Sequence, residues 1–174
     1  MLSDVLEYLP QEIRLDIFNL LNKNREIEEK IEEIRFRINQ NLTLKVGQDM
    51  MILNTKITKE IIQETFENIC EKSIYSYTKQ ISEGFITLKG GNRVGITGSA
   101  VLDGEKIINL NYISSLNFRV ARQIKDCSNP LLKYIVDIQN NTIFNTIIAS
   151  PPGARKNYNF KRFIKKNIKP EYQK

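Results

Sequence analysis

The hydrophobic period of this chain switches once, and that switch limits the folds open to it. Leu6, Leu9, Ile13, Ile17, Leu20 and Leu21 recur at steps of three or four. From Ile34 onward the step is two: Ile34, Phe36 and Ile38 alternate with Arg35, Arg37 and Asn39. A helix repeats every 3.6 residues and a strand every two, so the chain is expected to begin with helices and continue as sheet. Pro10 interrupts the first run and is expected as the first residue of a second helix. The charged stretch Arg25 to Glu33 reads as a helix end or a linker.

Turn residues mark out the strands. Asn39, Gln40 and Asn41 precede the alternating Leu42, Leu44 and Val46, and Gly47, Gln48 and Asp49 precede Met50 to Leu53. Together these runs predict a three-stranded meander. Thr58 is placed to cap a helix whose apolar face is Ile61, Ile62, Phe66, Ile69 and Cys70. A second helical segment follows over Ser73 to Gln80, in which Tyr75 and Tyr77 suggest aromatic packing. After Gly84 strands return at Phe85 to Leu88, Arg93 to Leu102, Lys106 to Tyr112 and Leu116 to Ala121. Gly90 and Gly91 read as a hairpin turn, and Asp103 with Gly104 as another. Pro130 to Ile138 reads as a short helix, and Thr142 to Ala149 as a buried strand. The expected fold class is α+β (α/β), with N-terminal helices and a mixed, mostly antiparallel sheet.

Charge is unevenly placed. The 174 residues carry a net +6, yet residues 151–174 hold eight basic side chains and one acid. Residues 1–150 hold 18 basic and 19 acidic side chains, so the body is close to neutral and the basicity belongs to the tail. Nucleic-acid modules spread cations over a folded face, so the composition favours no specific nucleic-acid partner. No run of about 18 apolar residues occurs, so no transmembrane helix is expected. Histidine is absent and no metal site is expected. Cys70 and Cys127 are the only cysteines and fit a reducing compartment as free thiols better than a disulfide.

Four stretches carry most of the information. Leu9 to Arg14 and Glu33 to Arg37 read, by themselves, as a helix start and a solvated strand face. Ser73 to Tyr77 demands no chemistry. Gly84 to Gly98 places five glycines in fifteen residues. Strands on both sides favour hairpin architecture there over a phosphate loop, which needs a helix N-terminus behind it. Gly90, Gly91, Arg93, Gly95 and Gly98 form the candidate functional loop, with Arg93 its chemical group.

The last stretch runs from Thr142 to Lys156. A β-type run leads into Ser150, Pro151, Pro152, Gly153, Ala154, Arg155 and Lys156. That is the layout of a nucleotide-binding P-loop, G-x-x-x-x-G-K-[ST], with Ser150 in the first glycine's place and Lys156 in the lysine's. Arg155 stands where the loop needs glycine, and Asn157 where it needs the hydroxyl that binds Mg²⁺. The loop is therefore degenerate, and no catalytic residue is assigned.

Taken in order, these stretches resemble the stage III sporulation protein AA family of endospore-forming bacteria, over about Leu9 to Gly153. The most specific are Gly84 to Gly98, Ser114 to Arg122 and the closing Ile147 to Gly153. The family is similar to the ATPases of type II and type IV secretion systems. The resemblance implies an N-terminal domain over 1–138 and the first strand of a truncated RecA-like P-loop domain over 139–154, while the basic tail over 155–174 falls outside it and is expected to be disordered. It also implies ATP and Mg²⁺ as cofactors of the complete family, though none is expected on this chain. The implied role is to power or assemble the channel complex joining mother cell and forespore. Partners would be the sporulation channel proteins and, in the complete family, further copies of the chain. This chain is expected to be monomeric or weakly associated. The implied location is the mother-cell cytoplasm, peripheral to the membrane.

Arg155 departs from the family, and a shifted reading frame accounts for it. Written in A-rich codons, Ala154 to Lys165 become Ala-Gly-Lys-Thr-Thr-Ile-Leu-Lys-Asp-Leu-Leu-Lys when one base is removed, which restores the loop and a helix start. Two other readings compete: a motorless adaptor, and a basic-tail binder of nucleic acid or membrane surfaces through Phe160, Phe163 and Ile164 among Lys161, Arg162, Lys165 and Lys166.

Overall fold

Pro10 cannot donate to the helix before it, and the chain bends there. The computed structural model describes residues 2–121, 134–137, 142–147 and 149. The chain divides into two units, Met1–Arg122 and Gln123–Lys174. In the first, α1 (Leu2–Leu6) and α2 (Gln11–Lys23) flank the bend. Pro10 is the N-cap of α2, one position earlier than expected, with φ −55° and ψ 152°. Its missing N–H is one that the first turn could not have used. A 3-10 helix, Arg25–Lys30, takes up the charged stretch, and β1 (Ile31–Arg37) starts three residues before Ile34.

The meander forms as β1, β2 (Asn41–Val46) and β3 (Asp49–Lys56). Thr58 caps α3 (Lys59–Ile69): its Oγ1 accepts from the Ile61 N–H at 3.3 Å. The apolar stripe of α3 is buried as its spacing requires. Cys70 is fully buried and a free thiol, and burial pushes its pKa up to about 11. Cys127 lies outside the described residues. The segment expected as one helix over Ser73 to Gln80 is a 3-10 helix, Ile74–Tyr77, followed by α4 (Thr78–Ser82). Only Tyr77 packs on the core, while Tyr75 points into solvent.

β4 (Phe85–Thr87), β5 (Arg93–Asp103) and β6 (Lys106–Arg119) complete a six-stranded sheet of order β3-β2-β1-β6-β5-β4. The two strands expected over Lys106 to Ala121 are thus one. Every neighbouring pair in this sheet is antiparallel. The fold class is α+β, and the expected parallel component is absent among the described residues. Both halves of the sheet are built from tight hairpins, which reverse the chain at each step. Ile34, Phe36, Leu42, Leu44, Val94, Ile96, Leu116 and Phe118 form one core with the apolar residues of the four helices. Phe36 and Phe118 meet at its centre, ring centroids 5.5 Å apart.

One glycine requires comment. Thr97 lies opposite Ser115, but Ser99 lies opposite Asn111, so the ladder slips between them. A Cβ on Gly98 would sit 2.7 Å from the Asn111 carbonyl oxygen and 3.2 Å from the Ile113 Cα. Both obstacles are backbone and cannot swing aside.

The β1–β6 seam also carries a shared carboxylate. Glu33 is 16% exposed and accepts from Arg35 Nε at 2.8 Å and Nη2 at 2.6 Å. Asn117 Nδ2 donates to it at 3.4 Å, and Arg119 Nε stands 3.9 Å away. Desolvation pushes the Glu33 pKa up, but the Arg35 hydrogen bonds and charge, with Asn117 and Arg119, outweigh it and leave the value lowered.

The second unit differs from expectation. Val136–Asp137, expected within a helix, is β7 and pairs antiparallel with β8 (Thr142–Ile143). The remainder of the predicted helix, apart from Tyr134 and Ile135, lies outside the described residues. The strand predicted to reach Ala149 stops at Ile143, and Phe144 and Ile147 are exposed rather than buried. A two-residue ladder offers too little neighbouring surface to cover them.

Two outcomes follow. Gly98→Ala should destabilise the first unit by roughly 1–3 kcal/mol in urea unfolding followed by circular dichroism; unchanged stability would mean the strands can part at no cost. Glu33→Gln should cost about 1 kcal/mol at pH 7. A carboxylate with a lowered folded-state pKa stabilises above its unfolded value of 4.5 and loses that contribution as pH falls through the folded value. The two proteins should therefore converge as pH falls below 4.5, and a difference that stays constant would assign the cost to packing.

Candidate functional site

The alternation that buries Ile34 and Phe36 turns Glu33, Arg35 and Arg37 to the other side of the sheet. Pairing then aligns them with residues from distant parts of the chain. Glu33 lies opposite Arg119, and Arg119 opposite Arg93. Arg35 lies opposite Asn117, and Asn117 opposite Gly95. Arg37 lies opposite Ser115, and Ser115 opposite Thr97. On the other flank Lys45 lies beside Glu33, and β3 adds the exposed Met50 and Ile52. The residues of this parity are part-exposed or exposed, in contrast to the buried opposite parity.

Four arginines and one lysine thus share a face with Glu33, and the lysine, Lys45, is ion-paired with Glu32 at 3.1 Å. Arg93 and Arg119 are directly opposite, an arrangement that destabilises a sheet when both carry the same charge. The Arg93 guanidinium stands 5.2 Å from the Phe85 ring centroid, which offsets part of that. Arg37 and Arg93 pair with no carboxylate among the described residues. Asn117 Oδ1 is buried with no donor among them, because its amide is turned to give Nδ2 to Glu33. Such a surface can hold carboxylates or other anions. It has no nucleophile with an adjacent base, and no group of three metal-ligating side chains occurs among the described residues.

The candidate glycine loop is not gathered into a cradle. Gly90 and Gly91 sit in the turn from β4 to β5, with φ +72° and +80°. A Cβ on Gly90 would lie 2.7 Å from Asp4 Oδ2, so the turn is pressed against α1. Asn92 pins it: its Nδ2 donates to the Lys89 carbonyl at 2.7 Å and its Oδ1 accepts from the Ala121 N–H at 2.8 Å. Arg93 and Gly95 then face outward along β5, and Gly98 occupies the irregular pairing. No helix begins behind these residues. The P-loop residues Ser150, Pro151, Pro152, Gly153 and Lys156 lie outside the described residues.

The Leu9 to Arg14 stretch has two jobs. Leu9 and Ile13 are buried in the core. Pro10, Gln11 and Arg14 line a cleft of about 690 Å³ with Glu7, Glu64, Asn68, Glu71, Lys72 and Lys89. Asn68 Nδ2 donates to the Tyr8 carbonyl at 3.2 Å and ties α3 to the bend. Glu71 and Lys72 both have positive φ, 49° and 60°, where the chain leaves α3. Cations and carboxylates balance in this cleft, so it favours neither sign of ligand.

Read one by one, Arg35, Arg37, Arg93 and Arg119 look like solvated strand positions. Their convergence depends on β1 pairing with β6, a contact between residues some 80 positions apart. The available signal was parity: each arginine sits one residue from a buried apolar side chain on its own strand.

The family profile described as "Sporulation stage III, protein AA" matches residues 4–171. Stage III sporulation protein AA of Bacillus subtilis (strain 168) is 30% identical over 159 residues, covering 89% of this chain and 48% of that protein. The chain thus spans about half the length of this curated relative. Among solved structures, the X-ray structure of the Legionella pneumophila ATPase DotB is 7% identical, with a TM-score of 0.37 over 66% of this chain and 31% of that one. No helix among the described residues is long and apolar enough to cross a membrane. With the family profile spanning nearly its whole length, the chain belongs to the sporulation stage III protein AA family.

Proposed function

We propose that this chain is the N-terminal part of a sporulation ATPase that powers or assembles the channel complex between mother cell and forespore, and that its nucleotide loop is defective. The observation that carries the reading is the family match over residues 4–171. The chain order of the P-loop-like stretch supports it. A β-type run enters Ser150 to Gly153 and reaches Lys156, the layout in which backbone N–H groups wrap phosphates and a lysine meets the β/γ oxygens. The residues present do not fit Mg-ATP. Arg155 brings a side chain to a position where backbone must approach the phosphates, and Asn157 offers no hydroxyl to the metal. The complete family would hold ATP and Mg²⁺ at this loop and would assemble as a homo-oligomer. This chain would act, if at all, by contact with the channel proteins, in the mother-cell cytoplasm and peripheral to the membrane. The near-neutral body argues against nucleic acid as its partner.

Three measurements test the reading. A fluorescent ATP analogue with Mg²⁺ should show no saturable binding up to about 1 mM; saturable, Mg²⁺-dependent binding would refute the claim of a defective loop. Expression of this chain in Bacillus subtilis lacking its stage III protein AA should leave the sporulation defect unrepaired, and recovery of spores would show activity without a motor. Resequencing the gene from the Ser150 codon should find one extra base and a continuing motor frame. An intact tail frame with no motor frame after it would favour the adaptor.

A further inference from the structure

Not every cation on the sheet face is spoken for. Arg35 is taken by Glu33 at 2.6 Å and Lys45 by Glu32 at 3.1 Å. Arg37 and Arg93 are exposed and meet no carboxylate among the described residues. Arg119 is 72% exposed and reaches Glu33 only at 3.9 Å. The Arg93 guanidinium stands over the Phe85 ring, a placement that engages the flat of the group and leaves its N–H edge for an acceptor. The register sets these three arginines at the two ends of a strip of small side chains. Gly95 lies between Asn117 and Phe85 across the sheet and contributes no side chain. The next outward pair, Thr97 and Ser115, is small. Arg93 and Arg119 face each other at one end of the strip, and Arg37 stands opposite Ser115 at the other. The two ends are four residues apart along the ladder, roughly 13 Å.

We infer that this strip is the docking site for an acidic segment of another protein, an extended stretch in which two carboxylates flank one apolar side chain at alternate positions. One carboxylate meets Arg93 and Arg119 and replaces their mutual repulsion with charge-assisted hydrogen bonds. The other meets Arg37. The apolar side chain lies between them, over Gly95 and against the Phe85 ring. Every second residue of an extended chain points the same way, and three such residues span the same roughly 13 Å as the strip. Charge favours a short segment over a long polyanion. Residues 2–121 hold 15 basic and 17 acidic side chains, and without these three arginines the rest of the unit is left at −5. A nucleic acid or an anionic bilayer extends past the strip and is repelled by that acidic remainder, whereas a few residues of peptide stay within it. The inference gives the partner contact proposed above a place and a chemistry, and it rests on the described unit and not on the ATPase reading.

Fluorescence polarisation with the full chain tests it. The probe is a short labelled peptide in which two glutamates and a central leucine alternate with serines; its control has the same composition with the glutamates adjacent. The alternating peptide should bind at about 10–100 µM, and the control about fivefold more weakly or worse. Arg93→Thr should weaken binding about tenfold, while its urea midpoint stays at or above that of wild type because a like-charge pair is relieved. Gly95→Val leaves every charge in place and adds a strand-favouring side chain where the nearest atom to a new Cβ is 3.9 Å away. By filling the strip it should weaken binding by a similar factor. No binding, or equal affinity for the two peptides, overturns the inference. So does undiminished binding by both variants, as capture by the basic tail would give. Preference for a single-stranded oligonucleotide or for phosphatidylglycerol vesicles over the peptide, lost in Arg93→Thr, would assign the face to a polyanion and overturn it as well.

Discussion

The pairing of β1 with β6 holds the first unit together. Without it there would be two three-stranded halves, a meander and a hairpin with an added strand. Closing a loop of some 80 residues costs about 4 kcal/mol of chain entropy beyond a constant term. Phe36 and Phe118, fully buried against each other across this seam, contribute about 2 kcal/mol each from burial and about 1 kcal/mol from their tilted contact. That offsets the closure before the ladder hydrogen bonds are considered. The helices can then cover one continuous apolar face, and no smaller piece of the sheet would bury Ile34, Leu44, Val94 and Leu116 together.

The same seam assembles the arginine face. A ladder that puts Phe36 opposite Leu116 and Ile34 opposite Phe118 on the inside must put Arg35 opposite Asn117 and Glu33 opposite Arg119 on the outside. Glu33 stands where the two halves meet and serves both, through Arg35 on its own strand and Arg119 on the partner strand. Gly98 marks the far limit of this arrangement. Beyond it β5 and β6 pair only with each other, and Leu102, Ile107, Ile108 and Tyr112 are left exposed on the ribbon.

Local features were legible in the sequence wherever one element determined them. The period of α2 and α3, the Thr58 cap, the meander turns and the Gly90–Gly91 hairpin all follow from chemistry within a few residues. Features set by tertiary contacts were not. The 3-10 break at Ile74 and the exposure of Tyr75 depend on where α4 meets the sheet. The unbroken β6 crosses residues whose left-handed Tyr112 and slipped ladder look like a loop from sequence. A parallel component was expected because the run after Thr142 is rich in Ile and Phe, but the described part of that run makes only a two-residue antiparallel ladder. The arginine face was unreadable for the same reason: its members belong to three separate motifs that only the β1–β6 register aligns.

Apart from the Glu33 cluster, the chemistry of that face does not serve the fold. Arg93 and Arg119 are like charges directly opposite on the ladder, a destabilising pair. The Phe85 contact offsets part of this for Arg93 alone. Arg37 is held by no carboxylate among the described residues, and Asn117 keeps a buried acceptor unsatisfied so that Glu33 can be hydrogen-bonded, a cost of about 1–3 kcal/mol. Threonines at the outward positions of these strands would suit the sheet better on every count. Local rules are broken here several times within one patch, while the opposite face of the same strands obeys them throughout. Such a concentration of uncompensated costs is expected where a surface meets something outside the unit. An anionic counterpart that supplied carboxylates to Arg37, Arg93 and Arg119 would convert the repulsion into binding.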